Sequence, residues 1–262
     1  GRGQFGGGGG RLSGDSALIR IYNDKNELIR TLRWGVDSGF NRQYWGMEER
    51  GYRQPGSVRP RPGAQEPGGL QVLPGTYKVM ITFNRESDST FVTVKDDPRI
   101  GNRNDVKLAQ RKMYDRLRKS TDKLTAGMDR LTEAEDVCNK LTTEIRDLEG
   151  KEIDSLRKST RTMLDSIKVI REFISGKQSD RQGLNRERGE TVMSVMQTAN
   201  QSIGAKAVAP GAQEEKLVQN AELMISLAVQ RINTFFDSKW KEYRQQAEGT
   251  KISLFKDYTP IQ

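Results

Sequence analysis

Six carboxylates crowd the middle of the chain: Glu133, Glu135, Asp136, Glu144, Asp147 and Glu149. Carboxylates at helical spacing can hold a metal pair, but di-iron bundles also need Glu-x-x-His from facing helices. The chain has no histidine. The six acids are therefore read as a solvated helix face, and no metal or cofactor is expected. The same absence excludes Ser–His–Asp and Cys–His catalysis as usually built, and imidazole zinc sites with them. Cys138 is the only cysteine, so neither a four-thiolate zinc site nor an intramolecular disulfide can form. It falls on the apolar side of its helical register, a core residue with no base beside it. Glycosidase chemistry needs two carboxylates held about 5–10 Å apart across a cleft, and no such pair is located by the sequence. Asp96, Asp97 and Arg99 are read as a junction in which Asp caps a turn and Arg pairs with it.

The strongest candidate for a ligand or interface patch is Tyr44, Trp45, Arg50, Tyr52 and Arg53, next to Arg59 and Arg61. Aromatic and Arg side chains together mark protein interfaces, and an aromatic beside polar groups also suits carbohydrate. The competing reading places Trp45 in a β core with a loose loop after it. No catalytic residue is expected, so the chain is read as a non-enzyme.

Of the 262 residues, 34% are hydrophobic and 30% charged, a balance that suits long amphipathic helices with one buried stripe. The net charge of +9 divides about evenly on either side of Asn104. Acid and base alternate along the helical part, as on solvated faces. A nucleic-acid partner is not expected, although a basic helical nucleic-acid binder stays as an alternative. No apolar run is long enough for a membrane-spanning helix, and no signal-peptide pattern is seen. The opening GRGQFGGGGGRLSG (1–14) is read as a flexible segment; its Gly-rich start implies a boundary at residue 1 with further sequence upstream. Its single Arg–Gly–Gly-like element is too little for an RNA-binding repeat.

Residues 15–99 carry strand signals. Ala17–Tyr22 alternates with period two, Asn23–Asn26 is a turn, and Glu27–Leu32 alternates again, which predicts a hairpin. Gly39–Trp45 reads as a third strand, with Phe40, Arg42 and Tyr44 on one face and Asn41, Gln43 and Trp45 on the other. Residues 46–71 read as a long surface loop too polar to pack. Tyr77–Phe83, a turn at Arg85–Asp88, and Thr90–Val94 complete five strands, the spacing of an antiparallel sandwich. Asp96 to Arg99 ends the sheet.

From about residue 100 the period changes to 3.6. One helix of some 45 residues runs from Asn104 through Leu124, Leu131 and Ile145, with a wider gap at Ser120 and a weak point at Gly127. A second carries Leu156 to Ile174 and stops at Ser175-Gly176. A shorter one carries Val192 to Ala199. A last one runs from Gln213 to Gln246, with the widest apolar face and hence the most burial expected. The tail 252–262 is expected to pack back through Leu254, Phe255 and Tyr258. The fold class is thus α+β in two segregated domains: an antiparallel β-sandwich, Ig- or fibronectin-like and without its first strand, then an antiparallel bundle of about four helices over 100–262.

The order of these segments resembles a known family. Asn26–Leu32, Gly39, Asn41, Arg42 and Trp45, then Pro74-Gly75, Tyr77 and Asp97-Pro98-Arg99, are similar to the C-terminal region of bacterial sortilin-type, BNR-repeat "glycosyl hydrolase" proteins typical of Bacteroidetes. The sandwich also resembles the Ig-like module of flagellar hook-capping proteins. The Gly183-Leu184-Asn185 connection and the terminal Pro260-Ile261 fit the same order. Gly46-Met47 departs from the usual acidic residue after the Trp. The resemblance implies a non-catalytic assembly module that follows a β-propeller in an exported or cell-surface protein. It implies the propeller, or another surface protein, as partner. An independent carbohydrate-binding or adhesin module is the alternative.

Overall fold

The computed structural model describes residues 16–61, 64–99, 101, 103–177 and 189–251. The Gly-rich opening, the Gly183–Asn185 connection and the tail from Ile252, with Leu254, Phe255, Tyr258 and Pro260-Ile261, lie outside the described residues. The layout is α+β in two parts: antiparallel strands first, helices after. Backbone contacts divide the chain into two compact units. One holds the residues up to Tyr52 together with Pro60–Lys107; the other holds Arg53–Arg59 together with the chain from Leu108.

In the β unit, β1 is Ser16–Tyr22, β2 Leu28–Gly35, β3 Glu48–Arg50, β4 Gly68–Gln71, β5 Gly75–Phe83 and β6 Glu86–Val94. A four-stranded antiparallel sheet has the order β2-β1-β5-β6, and β3 pairs with β4. Alternation in β1 sends Ala17, Ile19 and Ile21 inward, all buried. The register sets Ile19 opposite both Leu32 and Ile81, and Ile21 opposite Val79. Ala17, Ile19, Ile21, Leu32, Val72 and Tyr77 form the core, and Trp34, Trp45 and Val79 pack partly against it. Each buried aliphatic side chain contributes about 1.5–3 kcal/mol.

The two tight turns have local causes. Asn23 Oδ1 accepts the Lys25 and Glu27 N–H groups at 3.1 and 2.8 Å, an Asx turn. Between β5 and β6 the turn is Asn84-Arg85, both at positive φ (45° and 72°), with Phe83 opposite Glu86. Such a two-residue turn matches strand twist. It begins one residue earlier and is shorter than the expected Arg85–Asp88, so β6 gains its first residues.

Two strand expectations are corrected. Gly39–Trp45 is not a strand; the third strand is Glu48–Arg50. Asn41 explains the change, because its side chain bonds its own loop's backbone and offers it an alternative to a ladder. The stretch 46–71 is not a featureless loop either: β3 and β4 lie within it. Its glycines permit that pairing, since a Cβ at Gly69 would sit 2.7 Å from the Arg50 carbonyl oxygen. The stretch also blunts the β2 edge. Thr31 N–H donates to Glu66 Oε2 at 2.9 Å and Arg33 N–H to Gln65 Oε1 at 3.0 Å. The buried Arg30 guanidinium donates to the carbonyls of Glu49, at 3.2 Å, and Pro67.

In the helical unit, α1 is Asn104–Glu144, α2 Lys151–Ser175, α3 Val192–Gly204, α4 Ala212–Phe235 and α5 Lys241–Gly249. Forty-one residues make α1 about 60 Å long. It runs unbroken through Gly127, so the expected weak point is absent. The gap at Ser120 is filled by Thr121, fully buried, whose hydroxyl donates to Leu117 O at 2.9 Å. The last helix is α4 and α5 joined by a π-helical turn, Phe236–Trp240. Aromatic rings gather there: Phe235 lies 5.1 Å from Phe236, and Trp240 5.5 Å from Tyr243. The buried stripe of α4 is Val218, Ala221, Ile225, Ala228, Ile232 and Phe235. Leu227, which widens the apolar face in sequence, stays exposed. Among the described residues no helix is long and apolar enough to cross a membrane.

Candidate interaction surface

Val36–Met47 connects β2 to β3 and carries the most exposed aromatics of the β unit. Asp37 N–H donates to Asn41 Oδ1 at 3.0 Å, while Asn41 Nδ2 donates to the carbonyls of Asp37 and Gly39 at 2.8 and 3.1 Å. One side chain thus closes the loop on itself. At its far end Trp45 turns inward: its ring meets Tyr77 edge-on at 5.6 Å, and its Nε1–H donates to Glu48 O at 3.0 Å. Tyr77 is fixed in turn, its hydroxyl donating to Leu73 O at 2.6 Å. Between these anchors Phe40 is 93% exposed and Tyr44 77% exposed, with Arg42 also in water. The two-faced alternation read from the sequence is lost with the strand: Asn41 and Gln43 are exposed along with Phe40, Arg42 and Tyr44, and only Trp45 packs against the core.

The other residues of the expected patch go to different places. Arg50 is exposed and lies 3.5 Å from Glu66. Tyr52 is half-buried. Arg53 belongs to the helical unit, where its guanidinium pairs with Asp129 of α1 and its carbonyl accepts the Thr125 hydroxyl at 3.3 Å. Arg59 joins the same carboxylate at 3.4 Å and lies 3.6 Å from Glu133. The five residues therefore do not form one free patch: Trp45 is structural and Arg53 is ion-paired. Phe40 takes the leading place, and the Gly-Phe-Asn turn pattern around it was the available signal.

Three of the six acids, Glu133, Glu135 and Asp147, are ion-paired. Glu135 pairs with Arg171 at 2.9 Å, and Asp147 with Arg146 at 3.3 Å. Among the described residues no group of three or more acidic or thiol side chains is placed to hold a metal. Asp96 bonds Lys107 at 2.6 Å, and Asp97 accepts the Arg99 side chain and backbone N–H, which lowers its pKa. Cys138 is buried, and burial pushes its thiol pKa up, the wrong direction for a nucleophile. Its neighbour Tyr243 donates to Thr160 Oγ1 at 3.0 Å, and burial pushes the phenol up to about 12. Thr160 is free to accept because its own proton goes to Leu156 O at 2.8 Å.

A groove of about 530 Å³ lies between α2 and α4, with Val169, Ile170 and Phe235 as its apolar lining and Asp165, Arg231 and Lys239 among the charged groups. Arg231 is drawn over the Phe173 ring, 3.8 Å from its centroid, a cation–π contact. Compared with known proteins, the chain matches no family model, no curated protein and no solved structure.

Proposed function

We propose that this chain is a non-catalytic assembly module, which joins its protein to a β-propeller of the BNR/sortilin-like kind at the cell surface or outside the cell. The observation that carries the assembly reading is the Phe40–Tyr44 loop. Its backbone is pinned by Asn41 and anchored by Trp45, yet it holds two large aromatics and an Arg in water. A preordered loop loses little entropy on binding, and Phe, Tyr and Arg supply the contact energy of protein interfaces. The propeller partner and the location rest on the motif order quoted from the sequence. The carbohydrate-binding alternative is weaker, because Trp45, its natural stacking platform, is engaged with Tyr77.

The test is a photo-crosslinking residue at position 40 or 44, with the adduct identified by mass spectrometry in the native host. Adducts with propeller peptides of the Asp-box type are expected. Adducts with unrelated proteins alone would refute the propeller partner. Hydrolysis of glycosides or peptides by the purified chain would refute the non-catalytic reading.

A further inference from the structure

The two edges of the four-stranded sheet are treated differently. The β2 edge is blunted by Glu66 and Gln65, whose side chains take the Thr31 and Arg33 N–H groups. The β6 edge has no such cover among the described residues. It is nine residues long, pairs with β5 in unbroken register, and contains no proline or lysine. Those are the devices by which proteins commonly protect an edge.

The two-residue turn makes Phe83 and Glu86 the first hydrogen-bonded pair, so alternation turns the main-chain groups of Ser87, Ser89, Phe91 and Thr93 away from β5. Consistent with this, Ser89 N–H donates to no strand but to the neighbouring Asp88 Oδ1 at 2.7 Å. Phe91 is 70% exposed on this edge. A row of unpaired main-chain groups is matched by one kind of partner, an extended strand.

From this pattern we infer that β6 pairs antiparallel with β6 of a second copy of the chain, about a two-fold axis at Phe91, to give one continuous eight-stranded sheet. The outward residues read the same in both directions: hydroxyl, aromatic, hydroxyl. With Phe91 facing its counterpart, Ser89 of each strand meets Thr93 of the other, and Thr90 meets Val92. Aromatic–aromatic and Ser–Thr pairs are favoured across strands, and no like charges oppose each other between Asp88 and Val94. The pairing is isologous and closes at two copies. Any strand that docked would replace the local Ser89–Asp88 bond with ladder bonds.

Sedimentation velocity on the whole chain over a concentration series tests this. A concentration-dependent dimer is expected. Phe91→Glu and Phe91→Lys each place like charges on the axis and are expected to weaken the dimer about tenfold or more. An equimolar mixture of the two variants is expected to restore it, as a heterodimer. A third variant, Thr93→Pro, removes only an outward N–H and is expected to be a folded monomer by circular dichroism. A wild-type chain that stays monomeric throughout overturns the inference. So does a dimer that all three variants leave unchanged, since that dimer uses another surface. This inference goes beyond the proposed function: its failure leaves the Phe40–Tyr44 loop as it stands, and loss of crosslinks at that loop leaves the β6 dimer intact.

Discussion

Gly127 of α1 faces Ile232 of α4 so closely that a Cβ added at Gly127 would lie 2.9 Å from Ile232 Cδ1. The glycine is there for packing, not for flexibility. Replacing Gly by Ala inside a helix gains about 1 kcal/mol of propensity, whereas overpacking a core costs about 1–3 kcal/mol. Gly127→Val is expected to lower stability by about 2 kcal/mol. Gly127→Ala is expected to be near neutral alone but stabilising by up to about 1 kcal/mol in an Ile232→Val background, where the offending methyl is gone. Denaturant unfolding of the four proteins in the cycle measures the coupling. Additive effects would show that the two residues do not touch.

Tyr243 links stability to alkaline pH. Its pKa rises from 10.0 in the unfolded chain to about 12 when folded, chiefly because burial disfavours the phenolate. A group whose folded pKa is raised stabilises fully below the unfolded value and loses that contribution as pH climbs through the folded one. The window is therefore pH 10 to about 12. Tyr243→Phe is expected to cost about 1 kcal/mol at neutral pH through the lost Thr160 bond, and to fall less steeply than wild type across that window. Urea midpoints measured from pH 9 upward decide it; parallel curves would place the phenol in a solvated setting.

Glu214 acts at the opposite end of the scale. Lys206 Nζ lies 2.7 Å from Oε1, and the Gly211 N–H donates to Oε2 at 2.8 Å, capping α4. The Lys206 bond, then the backbone bonds, bring its pKa from 4.5 down to about 2. A depressed pKa contributes stability above the unfolded value and loses it as pH falls through the folded one. Wild type is thus expected to weaken between about pH 4.5 and 2 more steeply than Glu214→Gln. Helical circular dichroism during acid titration checks it. Identical acid limbs would exclude the carboxylate as a cap.

Arg30 tests how the β3–β4 stretch is held. Its buried guanidinium donates to the carbonyls of Glu49 and Pro67, one on each side of that ladder. Hydrogen bonds to charged groups contribute about 1.5–3 kcal/mol, so Arg30→Ala is expected to cost at least that much. The amide hydrogens of Gly51 and Val72, bonded to Pro67 O and Met47 O at 2.9 and 2.8 Å, should exchange faster in the variant. Unchanged exchange would mean that the ladder stands without Arg30.

Phe40 and Tyr44 separate binding from folding. Both rings lie almost wholly in water. The double variant Phe40→Ser, Tyr44→Ser is expected to keep its thermal midpoint, within about 0.5 kcal/mol of wild type, and to lose crosslinks to any partner of the loop. Trp45→Ala, next to Tyr44 in the chain, is expected to cost about 3 kcal/mol or more through the lost Tyr77 contact and core volume. A destabilised serine variant would show that the loop is packed rather than presented.

The sequence by itself determined the division into strands and helices, because each follows from a local period: two in Ala17–Tyr22, 3.6 from Asn104 onward. It also determined that no histidine chemistry operates and that Cys138 sits in a core, since register alone turns it inward. Tertiary structure decided what local pattern could not carry. Gly127 reads as a break until Ile232 stands over it. Arg53 reads as part of a ligand or interface patch until Asp129 claims it. In each case the deciding partner is far away in sequence, and periodicity reports which way a side chain points without reporting what it meets there.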